Sequence, residues 1–529
     1  MIQYDNLMIP IPANLNLKDG KFVLSKNTKI HSTKSVANLK NYFISYLSKD
    51  FGVTLESSKE HQVENSINFK LDDTLIKLGP EGYELSITDD HIDVRSSGEA
   101  GIFYGIQTIK QLLPRDGEKS SLNQEYNEVI PCLIIEDFPR FNWRGFMFDV
   151  GRHFHSIDTI KRVLDLISLL KMNVFHWHLT EDQGWRIEIK KYPQLTEIGS
   201  KREDSKVGGW TSKKYRGKPH EGFYSQEQVK EIVQYAKERF ITIIPEIEMP
   251  GHSSAAIASY PEVSCKNENI DVPIKFGIFS DVFCPGKEIT FEFLINILDE
   301  VLDLFPSAII HIGGDEVPKK NWKSCSDCKG RMEEEGLKKY KELHSYFIKR
   351  ISDYLKSNGR RTIGWNEILD EKTDVGVIGQ FWAPTGKKQV LNHIKKGGEI
   401  VVSNFFRYYL DYNYFVTPLR KTYNFDPIPK GLKKEYHDQI MGVEAPIWTE
   451  WVPNTDRLDW QVFPRLAAVA ETAWTLEQNK NYRSFVNRLG KFNKILDSMD
   501  VKYASLDEVN PKSVKRFINL RRALKWPEV

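Results

Sequence analysis

No stretch of this 529-residue sequence approaches the ~18–20 uninterrupted apolar residues that a membrane span requires. Charge of neither sign is in excess, with 74 Lys and Arg against 72 Asp and Glu. A nucleic acid or an anionic membrane is therefore not the expected partner, since both call for a basic surface. The first 17 residues lack a basic region followed by an apolar run, so no secretory leader is expected. That fits either a cytoplasmic protein or the mature form of an exported one. Internal repeats and low-complexity tracts are missing, as are a glycine-rich phosphate loop after the first barrel-type strand and an H-E-x-x-H pair.

Cysteine is scarce, with five in the whole chain. Cys325 and Cys328 form a C-x-x-C, and Cys265 and Cys284 are placed to pair across a loop. A structural zinc normally takes four ligands, and no second C-x-x-C or close His pair comes after Cys328. No metal and no cofactor are expected on that count.

Present instead is an ample apolar fraction (40%) with 12% aromatics, 12 of them Trp. Several Trp fall where strands should end, where they would make stacking walls for a sugar face. Length alone predicts two or three domains. Residues 1–136 read as a small α/β unit: Lys21–Ser32 alternates like a strand and Val36–Leu47 has helical spacing. Tyr83–Thr88 and His91–Ser96 form a hairpin, and Ala100–Leu113 is a helix stopped by Pro114. The polar stretch Arg115–Asn127 reads as a linker or surface loop.

From residue 137 to 480 the pattern alternates strand and helix. The strands expected are Arg144–Val150, Asn173–Leu179, Ile241–Ile247, Ala308–Ile312, Arg361–Trp365, Val375–Trp382, Glu399–Phe405 and Ile440–Ala445. Amphipathic helices lie between several of them, including Ile157–Leu170, Gln226–Arg239, Ile289–Leu304 and Lys338–Leu355. Eight such strands predict a (β/α)8 barrel preceded by the small α/β domain. Residues 481–529 read as a helical tail packed on that barrel.

In a barrel of this kind the reactive groups sit at the C-terminal ends of the strands. Those ends carry Asp149 and Arg152, then His178, Glu181 and Asp182, then Glu246, Glu248 and His252. Next come Asp315 and Glu316, Trp365 with Asn366 and Glu367, Trp382, Tyr409 with Asp411, and Trp448 with Glu450. Carboxylates and indoles at nearly every strand end point to glycoside hydrolysis. Adjacent Asp315 and Glu316 cannot readily straddle a glycosidic bond as two separated carboxylates do. One acting as acid while its neighbour orients a group of the substrate suits a substrate-assisted reaction.

The run His311-Ile-Gly-Gly-Asp-Glu316 resembles the signature of glycoside hydrolase family 20. Arg144-Gly-Phe-Met-Phe-Asp149 with Arg152-His153, His176-Trp-His-Leu-Thr-Glu-Asp-Gln-Gly-Trp-Arg186, Pro245-Glu-Ile-Glu-Met-Pro-Gly-His252 and Gly364-Trp-Asn-Glu367 match it too, in the family's order. The resemblance spans nearly the whole chain. It implies an exo-acting β-N-acetylhexosaminidase that works with retention through an oxazolinium intermediate on an oligosaccharide or glycoconjugate, as a monomer or homodimer.

By the same resemblance Glu316 is the general acid, with a pKa raised by the like charge of Asp315. Asp315 stays ionised to hold the acetamide N–H, and Tyr409 donates to the acetamide oxygen. Trp365, Trp382 and Trp448 box the sugar, while Arg152, Asp411 and Glu450 read its hydroxyls. His252 with Glu248, and one of Glu181 or Asp182, steers Glu316 from behind. His178 and His311 read as core histidines bonded to backbone, and Glu367 as an orienting group. A disaccharide-releasing relative, or a silent sugar-binding barrel, are the other readings.

Overall fold

A computed structural model of the chain describes residues 7–58, 64–114 and 127–511. The linker expected at 115–126 and the end of the tail, 512–529, lie outside the described residues. Among the described residues no helix is long and apolar enough to cross a membrane.

The contacts group the chain into two compact units, one of them made of Met1–Asn142, Leu166–Met172 and Ala467–Tyr503, the other of the remainder. The boundaries expected from sequence, at 136/137 and 480/481, run differently. Asp137 accounts for part of the grouping. Its buried carboxylate accepts from Tyr83 Oη at 2.8 Å and Trp474 Nε1 at 2.9 Å, and pairs with Lys171 Nζ at 2.8 Å. Arg488, in the helix Tyr482–Ser498, donates to the Met8 carbonyl at 2.9 Å and grips Glu471 at 2.5 and 2.6 Å. Charges this deeply buried must be paired, so these partners hold sequence-distant segments together.

The first unit is built on a mixed seven-stranded sheet. Its strands are β1 (Asn14–Ser25), β2 (Lys29–Ser32), β3 (Glu56–Ser57), β4 (Ser66–Leu71), β5 (Tyr83–Ile87), β6 (His91–Ser96) and β7 (Asn127–Asp137), in the order β1-β7-β5-β6-β4-β2-β3. The single strand expected at 21–32 is two. The chain turns at Lys26–Asn27, where Thr28 N–H reaches back to the Ser25 carbonyl at 3.1 Å. Helices α1 (Ala37–Phe51) and α2 (Glu99–Leu112) pack on the sheet, α1 beside β2 and α2 across β4, β5 and β6.

The second unit is a closed parallel barrel. Its strands are β8 (Trp143–Asp149), β9 (Val174–His178), β10 (Thr242–Glu246), β11 (Ile309–His311), β12 (Arg361–Trp365), β13 (Ile378–Phe381), β14 (Ile400–Val402) and β15 (Ile440–Ile447). All eight expected strands are there, and β15 pairs with β8 to close the ring. Helices α3 (Ile157–Leu169), α4 (Gln226–Lys237), α5 (Glu288–Leu304), α6 (Ser326–Glu334), α7 (Tyr340–Ser357) and α8 (Lys387–Lys395) fill most crossovers. A capping box at Ser225 and Gln228 starts α4. The β12-to-β13 connection has only the short turn Asn366–Ile368, so strict alternation lapses there.

Side chains inside the barrel stack in layers, because alternate residues of a strand face one way. The floor is apolar: Trp143, Val174, Ile244, Ile363, Ile378 and Val401. Two residues further along the strands, His176, Glu246, Gln380 and Glu444 form a polar layer. Trp365 stands level with Gln380 in that layer, and His178 and Glu248 come from one step beyond. The site stands on that polar layer.

Candidate active site

Glu246 is the centre of the polar layer. Fully buried, its carboxylate lies 2.9 Å from His176 Nε2 and 2.7 Å from His311 Nδ1, touches His178 Nδ1, and accepts from Trp365 Nε1 at 2.9 Å. Burial penalises its charge, but the three imidazoles outweigh that and hold the carboxyl well below its ordinary pKa. Glu444 continues the network, 2.8 Å from His176 Nδ1, and accepts from Gln380 Nε2 at 2.7 Å and Trp143 Nε1 at 3.0 Å. Between its two carboxylates His176 is raised to about 9 although burial opposes the charge. Gly145 leaves the room: a Cβ there would lie 2.5 Å from Glu444 Oε2. His178 is thus carboxylate-bound, which corrects its reading as backbone-bonded, whereas His311 is buried and accepts from the Gly313 N–H at 3.0 Å as expected, with Glu246 as a further partner. A closed barrel brings Glu246 to them from a neighbouring strand.

Above this layer, at the end of β11, the chain makes the turn that carries Asp315 and Glu316. Gly313 and Gly314 have φ of +66° and +94°. A Cβ on Gly313 would fall 1.7 Å from Glu248 Oε2, and one on Gly314 would fall 2.3 Å from Ile368 Cγ2. Both glycines are required by backbone shape and by space. The turn sends its two acids to different environments. The Asp315 side chain is 10% exposed and that of Glu316 36%.

Burial pushes the Asp315 carboxyl well above its ordinary pKa, with Glu367, Glu316 and Glu246 adding like charge and His252 opposing. Sequence reasoning has Asp315 stay ionised; in the structure its carboxyl is pushed up because it is buried. Glu248 is pushed up as well, by burial and then by Asp315 and Glu246.

His252 stands behind the pair, its Nε2 3.8 Å from both Asp315 Oδ2 and Glu316 Oε2. Its Nδ1 lies 3.0 Å from Glu181 and 3.3 Å from Asp182, so both acids of the expected alternative flank it. Burial disfavours the imidazolium, but Glu181 first, with Asp182 and Asp315, raises His252 well above the ordinary value. Asp182 is fixed by Ser254, which donates to it from N–H at 2.9 Å and from Oγ at 2.5 Å.

Arg152 is ringed by carboxylates: Glu181 at 2.5 Å, Asp149 at 3.2 Å and Glu450 at 3.5 Å. Its guanidinium lies 4.7 Å from the ring of Trp448. Glu450 is half-buried, and burial raises its carboxyl against the pull of Arg152. Asp411 is raised further by burial and by Glu450.

Aromatic rings form the walls. Trp365 and Trp448 lie 5.6 Å apart, and Tyr409 lies 6.2 Å from Trp448 and stacks on Trp382 at 6.1 Å and 16°. Glu367 accepts from Trp382 Nε1 at 2.9 Å, which fits its expected orienting role. Burial, Asp315 and Asp411 keep the Tyr409 phenol protonated and able to donate.

Sequence reasoning passes over Glu444, Gln380 and His176, and leaves Glu246 without a role. A signal for Glu246 exists: it stands two residues before Glu248 and therefore faces the same way. Several of these acid–histidine groups are close enough to hold a cation. The hub at Glu246, however, already has four partners that neutralise or bond it.

The chain matches the catalytic domain of glycosyl hydrolase family 20 over residues 141–477, and that family's domain 2 over residues 7–138. It is 39% identical to a β-hexosaminidase of Porphyromonas gingivalis, over 94% of this chain and 64% of that one. The chain therefore spans just under two thirds of that relative's length. Among solved structures it resembles an exo-β-N-acetylglucosaminidase of Vibrio harveyi, with a TM-score of 0.83 and 31% identity, over 94% of this chain and 78% of that one. It also resembles a β-N-acetylhexosaminidase of Bacteroides fragilis, with a TM-score of 0.81 and 33% identity, over 96% of this chain and 99% of that one.

Proposed function

Because the chain belongs to glycosyl hydrolase family 20, we propose that it is an exo-acting β-N-acetylhexosaminidase that removes terminal β-linked GlcNAc or GalNAc from oligosaccharides or glycoconjugates. The observation that carries this reading is the division of environment between adjacent acids, with Asp315 buried against His252 and Glu316 open to the cleft.

In this mechanism Glu316, facing solvent, protonates the leaving oxygen and later takes a proton from water. The acetamide oxygen of the substrate attacks the anomeric carbon, with Tyr409 donating to that oxygen and Asp315 accepting from the acetamide N–H. A cationic oxazolinium forms, and the product keeps its β configuration. Burial makes an ionised Asp315 costly. Developing positive charge beside it relieves that cost, so the interaction strengthens on the way to the transition state. Trp365, Trp382 and Trp448 enclose the sugar and keep water from the reacting centre. Arg152, Asp411 and Glu450 contact the hydroxyls, where Arg152 is held in orientation by its carboxylates.

The test compares p-nitrophenyl β-glycosides of glucose, GlcNAc and GalNAc, with the product anomer followed by NMR. Turnover of acetamido sugars alone, releasing the β-anomer first, is expected. Equal turnover of the glucoside, or initial release of the α-anomer, would overturn the mechanism.

A further inference from the structure

We propose that Cys265, Cys284, Cys325 and Cys328 form a structural site for one zinc ion. A search for ligands downstream of Cys328 alone predicts no such site. The two missing thiols come from upstream, out of the long connection between β10 and β11. Cys325 is the N-cap residue of α6 and Cys328 lies in its first turn.

All four sulfurs lie within 4.8 Å of one another, and none is in a disulfide. The separations are 3.5 Å for Cys284–Cys328, 3.7 Å for Cys265–Cys328 and 3.8 Å for Cys284–Cys325. Four thiolates about 2.3 Å from a tetrahedral zinc stand about 3.8 Å apart along the edges, which three of the six separations match, the rest lying within 4.8 Å. A disulfide would need sulfurs about 2.05 Å apart, joined two by two. Here Cys284 and Cys328 each approach two sulfurs, which makes a single cluster. An iron–sulfur cluster would spread the thiolates further, because several irons and sulfides must lie between them.

The surroundings are built for this approach. A Cβ on Gly286 would lie 2.2 Å from the Asp327 carbonyl carbon and 2.4 Å from Cys328 N, so the Cys284 segment lies directly on the start of α6. Trp322 Nε1 donates to the Phe283 carbonyl at 3.0 Å, and Cys284 N–H to the Val263 carbonyl at 2.9 Å. Val282, Val317, Trp322 and Leu343 complete a dry wall, which excludes competing water. As the ion enters, four thiols release their protons to solvent and become four thiolates, with no change of oxidation state. The dianionic complex is favoured by the positive end of α6.

Four protein ligands close the coordination sphere, so the ion would hold structure rather than bind substrate. What it holds bears on the reaction. Val317, the residue after Glu316, belongs to the same core. Gly251, next to His252, fits against Asp315 O and Val317, with its virtual Cβ 3.1 and 3.4 Å away. Zinc would therefore staple the loop bearing Asp315 and Glu316 to the one bearing His252.

The experiment uses the full chain, made in zinc-supplemented medium and purified without chelator. Elemental analysis is expected to find about one zinc per chain. The four thiols should resist a disulfide reagent until a mercurial displaces the metal, and a metallochromic dye should register one zinc as those four of the chain's five thiols are titrated. Cys284→Ser and Cys328→Ser should lose zinc and melt at lower temperature, while Cys132→Ser, in the other unit, keeps it. If those variants are insoluble, the mercurial titration of the wild type decides. Zinc far below one per chain, iron in its place, disulfides found by mass spectrometry, or equal zinc in Cys284→Ser and Cys132→Ser would each overturn the proposal.

Discussion

Glu181 meets Arg152 at 2.5 Å, and the same carboxylate oxygen lies 3.0 Å from His252 Nδ1. One acid thus couples the cation proposed to hold the sugar to the imidazole behind the catalytic pair. Replacing it by Gln removes the largest support for the His252 imidazolium. The alkaline limb of kcat/KM should then move to lower pH by about 1–3 units, the effect of losing an opposite charge at this range. A pH–rate profile of Glu181→Gln checks this, and an unmoved limb would remove His252 from the titrating machinery.

Glu316→Gln should lower the rate by about 10²–10⁴ on natural glycosides, the range for a positioned general acid. The loss should shrink for aryl glycosides whose leaving group needs little protonation. Steady-state kinetics across leaving groups of graded pKa read this directly.

For Asp315→Asn the dependence should be different. It should cost on the order of 10²–10³ and do so with good and poor leaving groups alike, because it weakens the stabilisation of the cation rather than protonation. A loss confined to poor leaving groups would contradict its role.

Stability should bend at both ends of the pH scale. His176 rises from 6.5 to about 9 in the fold, so its contribution is complete below pH 6.5 and is lost as the pH climbs through about 9. Glu246 is depressed below 4.5, so its contribution is present above that value and is lost only as the pH falls through the lowered folded value. Melting temperatures should decline between pH 6.5 and 9, and His176→Gln should flatten that decline.

Two glycine substitutions should act in opposite directions. Gly313→Ala puts a Cβ 1.7 Å from the Glu248 carboxylate at φ +66°, adding steric overlap to roughly 1–2 kcal/mol of left-handed strain. Gly490→Ala, exposed in a helix with nothing within 4 Å, should stabilise by about 0.5–1 kcal/mol. Thermal melts of both variants compare the two.

The barrel was legible from sequence because its signals are local. Strand and helix periods depend on neighbours a few residues away. The residues expected to form the site were legible for a related reason: a parallel strand delivers its last residues to one face of a barrel. What those residues experience was decided by tertiary structure, since burial and charge partners come from closing the ring. Only the closed ring set Glu246 among His176, His178 and His311, put both Glu181 and Asp182 on His252, and made Asp315 the buried acid. The short β12–β13 crossover escaped a pattern that counts strands. The meeting of Cys265 and Cys284 with a C-x-x-C some 40 to 60 residues later escaped a count of ligand spacing, because sequence separation carries no distance once two loops pack face to face.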